Sequence, residues 1–141
     1  MEQKFRKLTE LVNKNDDGRM ISMLEPQFHS CDEDSMTAEF RFEMKEWEQN
    51  PRGEVHGGAA TTMFDTAMGM TIIAFMDCES VSTADLNVSF IRPFTGNSFI
   101  FRCEILHPGR TLVRIRATAY DEQTGKTLAS STANFVYKKR G

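Results

Sequence analysis

The sequence predicts an α+β fold in which an antiparallel sheet of about six strands curls round one long central helix, with a short helix ahead of it. Three observations carry that prediction. From Ala59 to Met76 every side chain is apolar, glycine or threonine except Asp65, a run without strand alternation and too long for one strand. Residues 36–44 alternate cleanly, with Met36, Ala38, Phe40, Phe42 and Met44 set against Thr37, Glu39, Arg41 and Glu43. Four further strand-like runs follow the helix, separated by clusters rich in turn-forming residues.

Taken in order, Phe5, Leu8, Leu11 and Val12 recur at helical spacing and predict an N-terminal helix ending within 13–18, a lid or packing element. Residues 20–30 read as a first strand, kinked or edged at Pro26, and 36–44 as a second. After the loop 45–55 comes the helix 56–76, apolar on nearly all sides and therefore in need of wrapping. Runs near 81–92, 98–106, 111–120 and 127–137 complete the sheet. The breaks Pro93-Phe-Thr-Gly96-Asn97, His107-Pro108-Gly109-Arg110 and Asp121-Glu-Gln-Thr-Gly125 are short links, as an antiparallel meander requires.

The chain has 141 residues, 40% of them apolar, which suits a single domain over 1–141 with one core. A formal net charge of -3 and the lack of any run of five like charges give no pull toward nucleic acid or an anionic membrane, so a phosphate-bearing ligand needs a local cluster of cations. The segment 59–76 approaches membrane-spanning length. Asp65, its threonines and the following Asp77-Cys-Glu-Ser place it in a protein core. Cys31, Cys78 and Cys103 are an odd set without Cys-x-x-Cys spacing, and the N-terminus has no signal-peptide pattern. Both point to reduced thiols in the cytoplasm. His29, His56 and His107 have no zinc spacing, and there is no Gly-x-Ser-x-Gly elbow, Cys/His signature or phosphate loop. No metal or cofactor is expected.

A lone carboxylate in an apolar run is costly unless it is paired, protonated or used, which makes Asp65 the first candidate for chemistry. Gly57 and Gly58 stand where the long helix should begin, and a helix start presents unpaired N–H groups and partial positive charge. Thr62-Met-Phe-Asp65 also fits a capping box for a helix that starts later, but such a cap explains neither Asn50, His56 nor the two glycines. Asp65 follows Gly57 by eight positions. On one helix that is a separation of roughly 12 Å, so the two cannot grip one small group together. If both act on it, they come from different copies of the chain, in a homodimer at minimum.

The pattern Asn-x(5)-His-Gly-Gly-x(6)-Asp-x(3)-Gly is met by Asn50, His56, Gly57, Gly58, Asp65 and Gly69. A second stretch runs Thr83-Ala-Asp85-Leu-Asn87-Val-Ser-Phe90-Ile-Arg92-Pro93, and a third is Gly109-Arg110-Thr111-Leu112. In these, over about residues 20–137, the chain resembles the hotdog-fold acyl-CoA thioesterases, in the branch that holds the phenylacetic-acid-pathway thioesterases and thioesterase superfamily member 2. Arg110 stands where lysine is also common and Thr83 where serine is often found; each keeps a donor. The resemblance implies a hotdog fold and hydrolysis of acyl-CoA to free acid and CoA. It implies that Asp65 is the catalytic carboxylate, that the Gly57 N–H polarises the carbonyl, and that the chain is a homodimer, often a dimer of dimers (a homotetramer). It further implies that 90–95 and 108–113, with Tyr137, flank the nucleotide, and that Thr83 and Asp85 face the reacting end. The substrate-binding set is therefore Gly58, Thr83, Asp85, Phe90, Arg92, Gly109, Arg110, Thr111 and Tyr137.

Thioester hydrolysis needs an attacking oxygen and dipoles for the oxyanion. Asp65 suits direct attack or general-base action on water, Asn50 suits orienting that water or the thioester, and His56 suits shaping the turn rather than moving a proton. Met63, Phe64, Met68 and Met70 are candidate walls for an acyl chain. Arg92, Arg110 and Lys138-Lys139-Arg140 are the cations available for phosphates, although a basic terminus is commonly a solvated tail. A non-catalytic acyl-CoA-binding or sensor module is the alternative, and it leaves Asp65 unexplained. A hydratase would pair a histidine with an acid in a different motif.

Overall fold

The computed structural model describes residues 1–14 and 18–141. Helix α1 spans Glu2–Lys14 and buries Phe5 and Thr9. Phe5 stacks on Phe28 with ring centroids 5.3 Å apart and meets Phe40 and Phe75 edge-on, so α1 is a packing element. Its expected end within 13–18 runs into residues 15–17, which lie outside the described residues.

The strand expected over 20–30 is a correction. Met20–Leu24 is a five-residue helix, α2, and strand β1 occupies only Gln27–Asp32. Pro26 disfavours helical backbone in the residue before it, and Glu25 turns into the left-handed region at φ 50 to end the helix. Strand β2 covers Thr37–Glu43, with Ala38, Phe40 and Phe42 buried as the alternation requires. Met36 sits ahead of it with φ 51, in the turn.

Helix α3 runs Gly57–Met76, followed by β3 (Cys78–Phe90), β4 (Ser98–Pro108), β5 (Leu112–Asp121) and β6 (Thr127–Lys139). The six strands form one sheet in the order β1-β2-β4-β5-β6-β3, antiparallel throughout. The meander therefore holds for β4 to β6 and fails for β3, which pairs with β6 at the edge. The link after β3 is no hairpin: Val55 N–H donates to the Phe94 carbonyl, and Ile91 and Arg92 donate to the Leu128 carbonyl, so the chain passes beneath the start of α3 before entering β4.

The sheet wraps one side of α3. Phe64 packs edge-on against Phe101 at 4.7 Å, and Met63, Ala67, Met68 and Ile72 are fully buried. Gly58, Thr62 and Asp65, one helical stripe, keep solvent exposure. The expectation of a helix wrapped on nearly all sides is thus half met within one protomer. Edge strand β3 is exposed along most of its 13 residues.

Candidate active site

A small clamp places the start of α3. The 3-10 turn Glu46–Glu48 leads to an isolated antiparallel bridge between Gln49 and Val55, and His56 N–H donates to the Glu48 carbonyl at 2.7 Å. Glu48 is only 1% exposed. Its Oε1 accepts the Lys45 N–H at 2.9 Å, its Oε2 is buried without a partner, and burial pushes its carboxyl above the ordinary value. Asn50-Pro51-Arg52-Gly53 makes the turn between the arms, closed by Gly53 N–H to the Asn50 carbonyl at 3.0 Å, with Gly53 at φ +80.

Asn50 is oriented by this turn. Its Oδ1 accepts the Arg52 and Glu54 N–H groups at 2.9 and 3.2 Å, so its Nδ2 must point the other way, where Glu54 Oε1 lies at 3.4 Å. Glu54 also accepts from Arg52 Nε at 2.8 Å, and these two contacts hold its carboxyl below the usual range. With one Nδ2 hydrogen on Glu54, the second amide hydrogen of Asn50 is what is left for another molecule.

His56 caps α3 through Nδ1, which accepts the Gly58 N–H at 2.9 Å. That bond is the turn-shaping contact expected of His56, and it favours glycine at 58: a Cβ there would lie a tight 3.1 Å from Nδ1. The Gly57 N–H, by contrast, has no protein acceptor among the described residues. A Cβ at 57 would meet only the Phe90 ring, at an ordinary 3.6 Å. Packing within the protomer does not need glycine at 57, and it does not need it at 69, where the nearest atom would be 3.7 Å away.

Further along the helix, Asp65 Oδ1 accepts the Thr83 hydroxyl at 2.6 Å. Thr62 donates to the Gly58 carbonyl at 2.9 Å, so it caps nothing and the late-starting helix is excluded. Thr61 and Thr71 likewise satisfy their hydroxyls on carbonyls one turn back. Asp85 is not brought to Asp65. A bulge between Thr83 and Asp85 sends Asp85 to the outer face, where Asn134 Nδ2 donates to both its oxygens at 3.0 and 3.1 Å. Met63, Phe64, Met68 and Met70 all face the core, so none forms an open wall in the protomer.

Two cavities flank α3. One, of about 320 Å³, opens at the helix start and brings together Asn50, Gly57, Phe90 and Arg92. Arg52 and Glu54 also line it and are not among the expected site residues, whereas Ile91 falls in the 90–95 segment that the resemblance implies; the Asn-Pro-x-Gly turn signal, which folds residue 54 back on residue 50, is the clue to the first two. Arg92 donates to the Thr127 carbonyl at 2.7 Å, which anchors its guanidinium. The second cavity, of about 480 Å³, lies at the far end of α3 and brings together Gly109, Arg110 and Tyr137 with Phe75, Met76, Asp77, Lys139 and Arg140. Tyr137 pins the 108–112 turn: its hydroxyl donates to the Gly109 carbonyl at 2.7 Å and its N–H to the Thr111 carbonyl at 3.0 Å. The basic end of the chain is therefore part of a cavity and not a free tail. Among the described residues, no group of three or more His, Cys, Asp or Glu side chains is arranged to hold a metal.

The sequence pattern that defines the thioesterase superfamily matches residues 52–128. A Halobacterium salinarum protein provisionally named an esterase is 31% identical over 101 residues, covering 69% of this chain and 66%, just under two thirds, of its own length. A phenylacetic-acid-degradation-related protein of Ralstonia eutropha, provisionally named a thioesterase, superposes with a TM-score of 0.79 at 25% identity, over 94% of this chain and 98% of that one. A Streptococcus mutans protein bound to acetyl CoA has the same fold, with a TM-score of 0.72 at 18% identity over 82% of this chain and 91% of that one. The fold is the hotdog fold.

Proposed function

We propose that this chain, which belongs to the thioesterase superfamily, hydrolyses acyl-CoA thioesters to free acid and CoA at sites shared between two copies of itself. Family membership supports thioester hydrolysis; the finer reading rests on the placement of two groups. The Gly57 N–H at the positive end of α3 has no protein acceptor among the described residues, and the Asp65 carboxylate stands on the open stripe of the same helix, held at Oδ1 by Thr83.

A thioester oxygen accepting the Gly57 N–H would have its carbonyl polarised, and the oxyanion formed on attack would sit at the helix start. Glycine at 57, unexplained by packing, lets that oxygen approach. Asp65 Oδ2, left free by Thr83, either attacks the carbonyl carbon or takes a proton from the water that does. With water as the attacking group, the tetrahedral intermediate collapses to the free acid and the CoA thiolate, which takes up the proton Asp65 removed. With Asp65 as the attacking group, collapse expels the CoA thiolate and leaves a mixed anhydride on Asp65, which water then hydrolyses to the free acid. The Asn50 amide donor orients the water or the thioester.

Gly57 and Asp65 are roughly 12 Å apart along α3, so each site takes Gly57 from one copy and Asp65 from the other. The long exposed edge of β3 supports that pairing, because an unpaired strand of this length is a template for a second strand. The acetyl CoA on the Streptococcus mutans protein supports a CoA thioester as the ligand class.

The test is release of free CoA from a panel of acyl-CoAs by wild type and Asp65→Asn. Turnover in the variant should fall by about a thousandfold or more with ligand binding largely kept. Unchanged turnover would remove Asp65 from the reaction, and binding without turnover in the wild type would make the chain a binding module.

A further inference from the structure

Glu48 is the most deeply buried acid among the described residues, and the reaction at Asp65 does not use it. It sits at the joint of the clamp that sets the start of α3. Its carbonyl accepts the His56 N–H at 2.7 Å, and its own N–H donates to the Lys45 carbonyl at 3.1 Å. Asn50 N–H ties the two arms again by donating to the Glu54 carbonyl at 2.7 Å. His56 in turn accepts the Gly58 N–H. A shift at Glu48 is therefore passed along one bonded path to the first turn of α3, where the Gly57 N–H points out.

The side chain is the weak point of that joint. Oε1 takes the Lys45 N–H at 2.9 Å, and Oε2 is buried without a protein partner. A neutral carboxyl tolerates such a setting far better than a carboxylate with one oxygen unmatched. The charges around it offer little relief. Lys45 acts on Glu48, but its ammonium stands 3.4 Å from Glu25 at the end of α2. Arg52 is committed to Glu54 at the tip of the clamp, and Arg41 of β2 to Glu43 and Glu122. Glu46 is a second acid in the same turn, and His56 has its Nδ1 on the Gly58 N–H. Residues 94–97, whose carbonyls accept the Val55 and Met44 N–H groups, bring no ionisable side chain.

We propose that Glu48 is a positioning residue for the shared site: its neutral carboxyl keeps the clamp closed and the Gly57 N–H aimed at the thioester, and its ionisation opens the clamp and withdraws that donor. The sign follows from burial, which raises the carboxyl above its ordinary 4.5 in the folded protein. Below the folded value the proton is kept and the clamp is closed. As pH rises through it, a charge appears where it has no partner, and turnover falls. Glu48 touches no substrate, and the Gly57 N–H matters most once the oxyanion forms, so the effect falls on kcat rather than KM. The inference rests on the reading of Gly57 given above.

The experiment follows CoA release by wild type, Glu48→Gln and Glu48→Ala from about pH 4 to about pH 8. The ratio of kcat in Glu48→Gln to kcat in wild type removes every ionisation the two share. It should be near one at the acid end and rise about tenfold with pH, part of the hundredfold or so that loss of an oxyanion donor costs. Glu48→Ala, which gives up the bond to Lys45, should lose about tenfold in kcat with KM within about twofold, and Glu48→Gln should restore that loss. A flat ratio, or full kcat in Glu48→Ala, would overturn the proposal while leaving hydrolysis intact. Amide proton shifts of Gly57 and Gly58 give a readout independent of turnover. A titration of both that is present in wild type and missing in Glu48→Gln would uphold the coupling even if no acyl-CoA were hydrolysed, whereas identical titrations in the two proteins would count against it.

Discussion

A methyl group added at Gly57 should separate folding from chemistry at the start of α3. In the protomer the new Cβ of Gly57→Ala would lie 3.6 and 3.9 Å from two Phe90 ring carbons, ordinary contact distances, and the backbone there is outside the left-handed region. Alanine is therefore admissible, and restricting the unfolded chain should hold stability level or raise it by about 0.5 kcal/mol. The same methyl projects where a thioester oxygen must approach the Gly57 N–H. Loss of one oxyanion donor costs about a hundredfold in turnover, or roughly 3 kcal/mol of transition-state stabilisation. Gly58→Ala provides the contrast. Its Cβ would lie 3.1 and 3.3 Å from the His56 ring atoms that cap the helix, so the cap must move. That should cost about 1 kcal/mol. The assay pairs urea midpoints with CoA release for both variants. Full turnover in Gly57→Ala, or a loss of stability as large as that of Gly58→Ala, would refute the assignment of Gly57 to the substrate rather than to packing.

Other expectations follow from the same contacts. Phe5→Ala should lower the unfolding free energy by about 3 kcal/mol, since Phe5 is fully buried against Phe28, Phe40 and Phe75; a loss below about 0.5 kcal/mol would mean that α1 is loosely docked. Glu48 has its carboxyl pKa raised by burial, so the folded state holds that proton more tightly than the unfolded state does. Its contribution is fully present below the unfolded value of 4.5 and is lost as pH rises through the higher folded value. Glu48→Gln, which keeps an acceptor for Lys45, should accordingly stabilise the protein more at pH 7 than at pH 4, and urea midpoints across that range check the sign. Burial pushes the Cys103 thiol up to about 12, and Cys78 is buried too, whereas Cys31 is half-buried. Alkylation of the native protein should begin at Cys31, with Cys103 labelled only on unfolding, as peptide mapping would show. Glu54→Ala removes the carboxylate that faces the Asn50 amide and pairs with Arg52. Turnover should fall less than in Asn50→Ala, because Oδ1 keeps the amide oriented through two backbone bonds.

What could be read in the chain depended on whether local pattern or long-range placement fixed each feature. The strict alternation of 36–44 and the long, mostly apolar run after Gly58, without strand alternation, located β2 and α3 closely, since burial of one face leaves little freedom of register. Helix α2 was hidden because five residues, Met20–Leu24, are too few to show a helical period, and an apolar run that short also suits a strand. The edge position of β3 was hidden for another reason. Turn residues signal that the chain bends after Phe90 but not that it crosses beneath α3.

The site shows the same division. The start of α3 at the His-Gly-Gly turn was legible in the sequence, because capping chemistry is local: His56 accepts the Gly58 N–H there. Thr83 and Asp85, two apart, should share a face in a regular strand, and the bulge between them separates the pair. Asn50 was assigned to the ligand, and its oxygen is in fact committed to its own turn, so only the amide donor remains. The cavity of Arg110, Lys139 and Arg140 joins a hairpin turn, a strand end and a helix end that no spacing relates.

The central claim, that Gly57 and Asp65 of different copies serve one thioester, is tested most directly by turnover of a purified mixed dimer in which one chain is Asp65→Asn and the other Gly57→Ala. If the sites are shared, one of the two contains an intact Gly57 and an intact Asp65, and the mixed dimer should recover about half of wild-type turnover. If each site were built within a single chain, both would be damaged and the mixed dimer would be no more active than either variant alone.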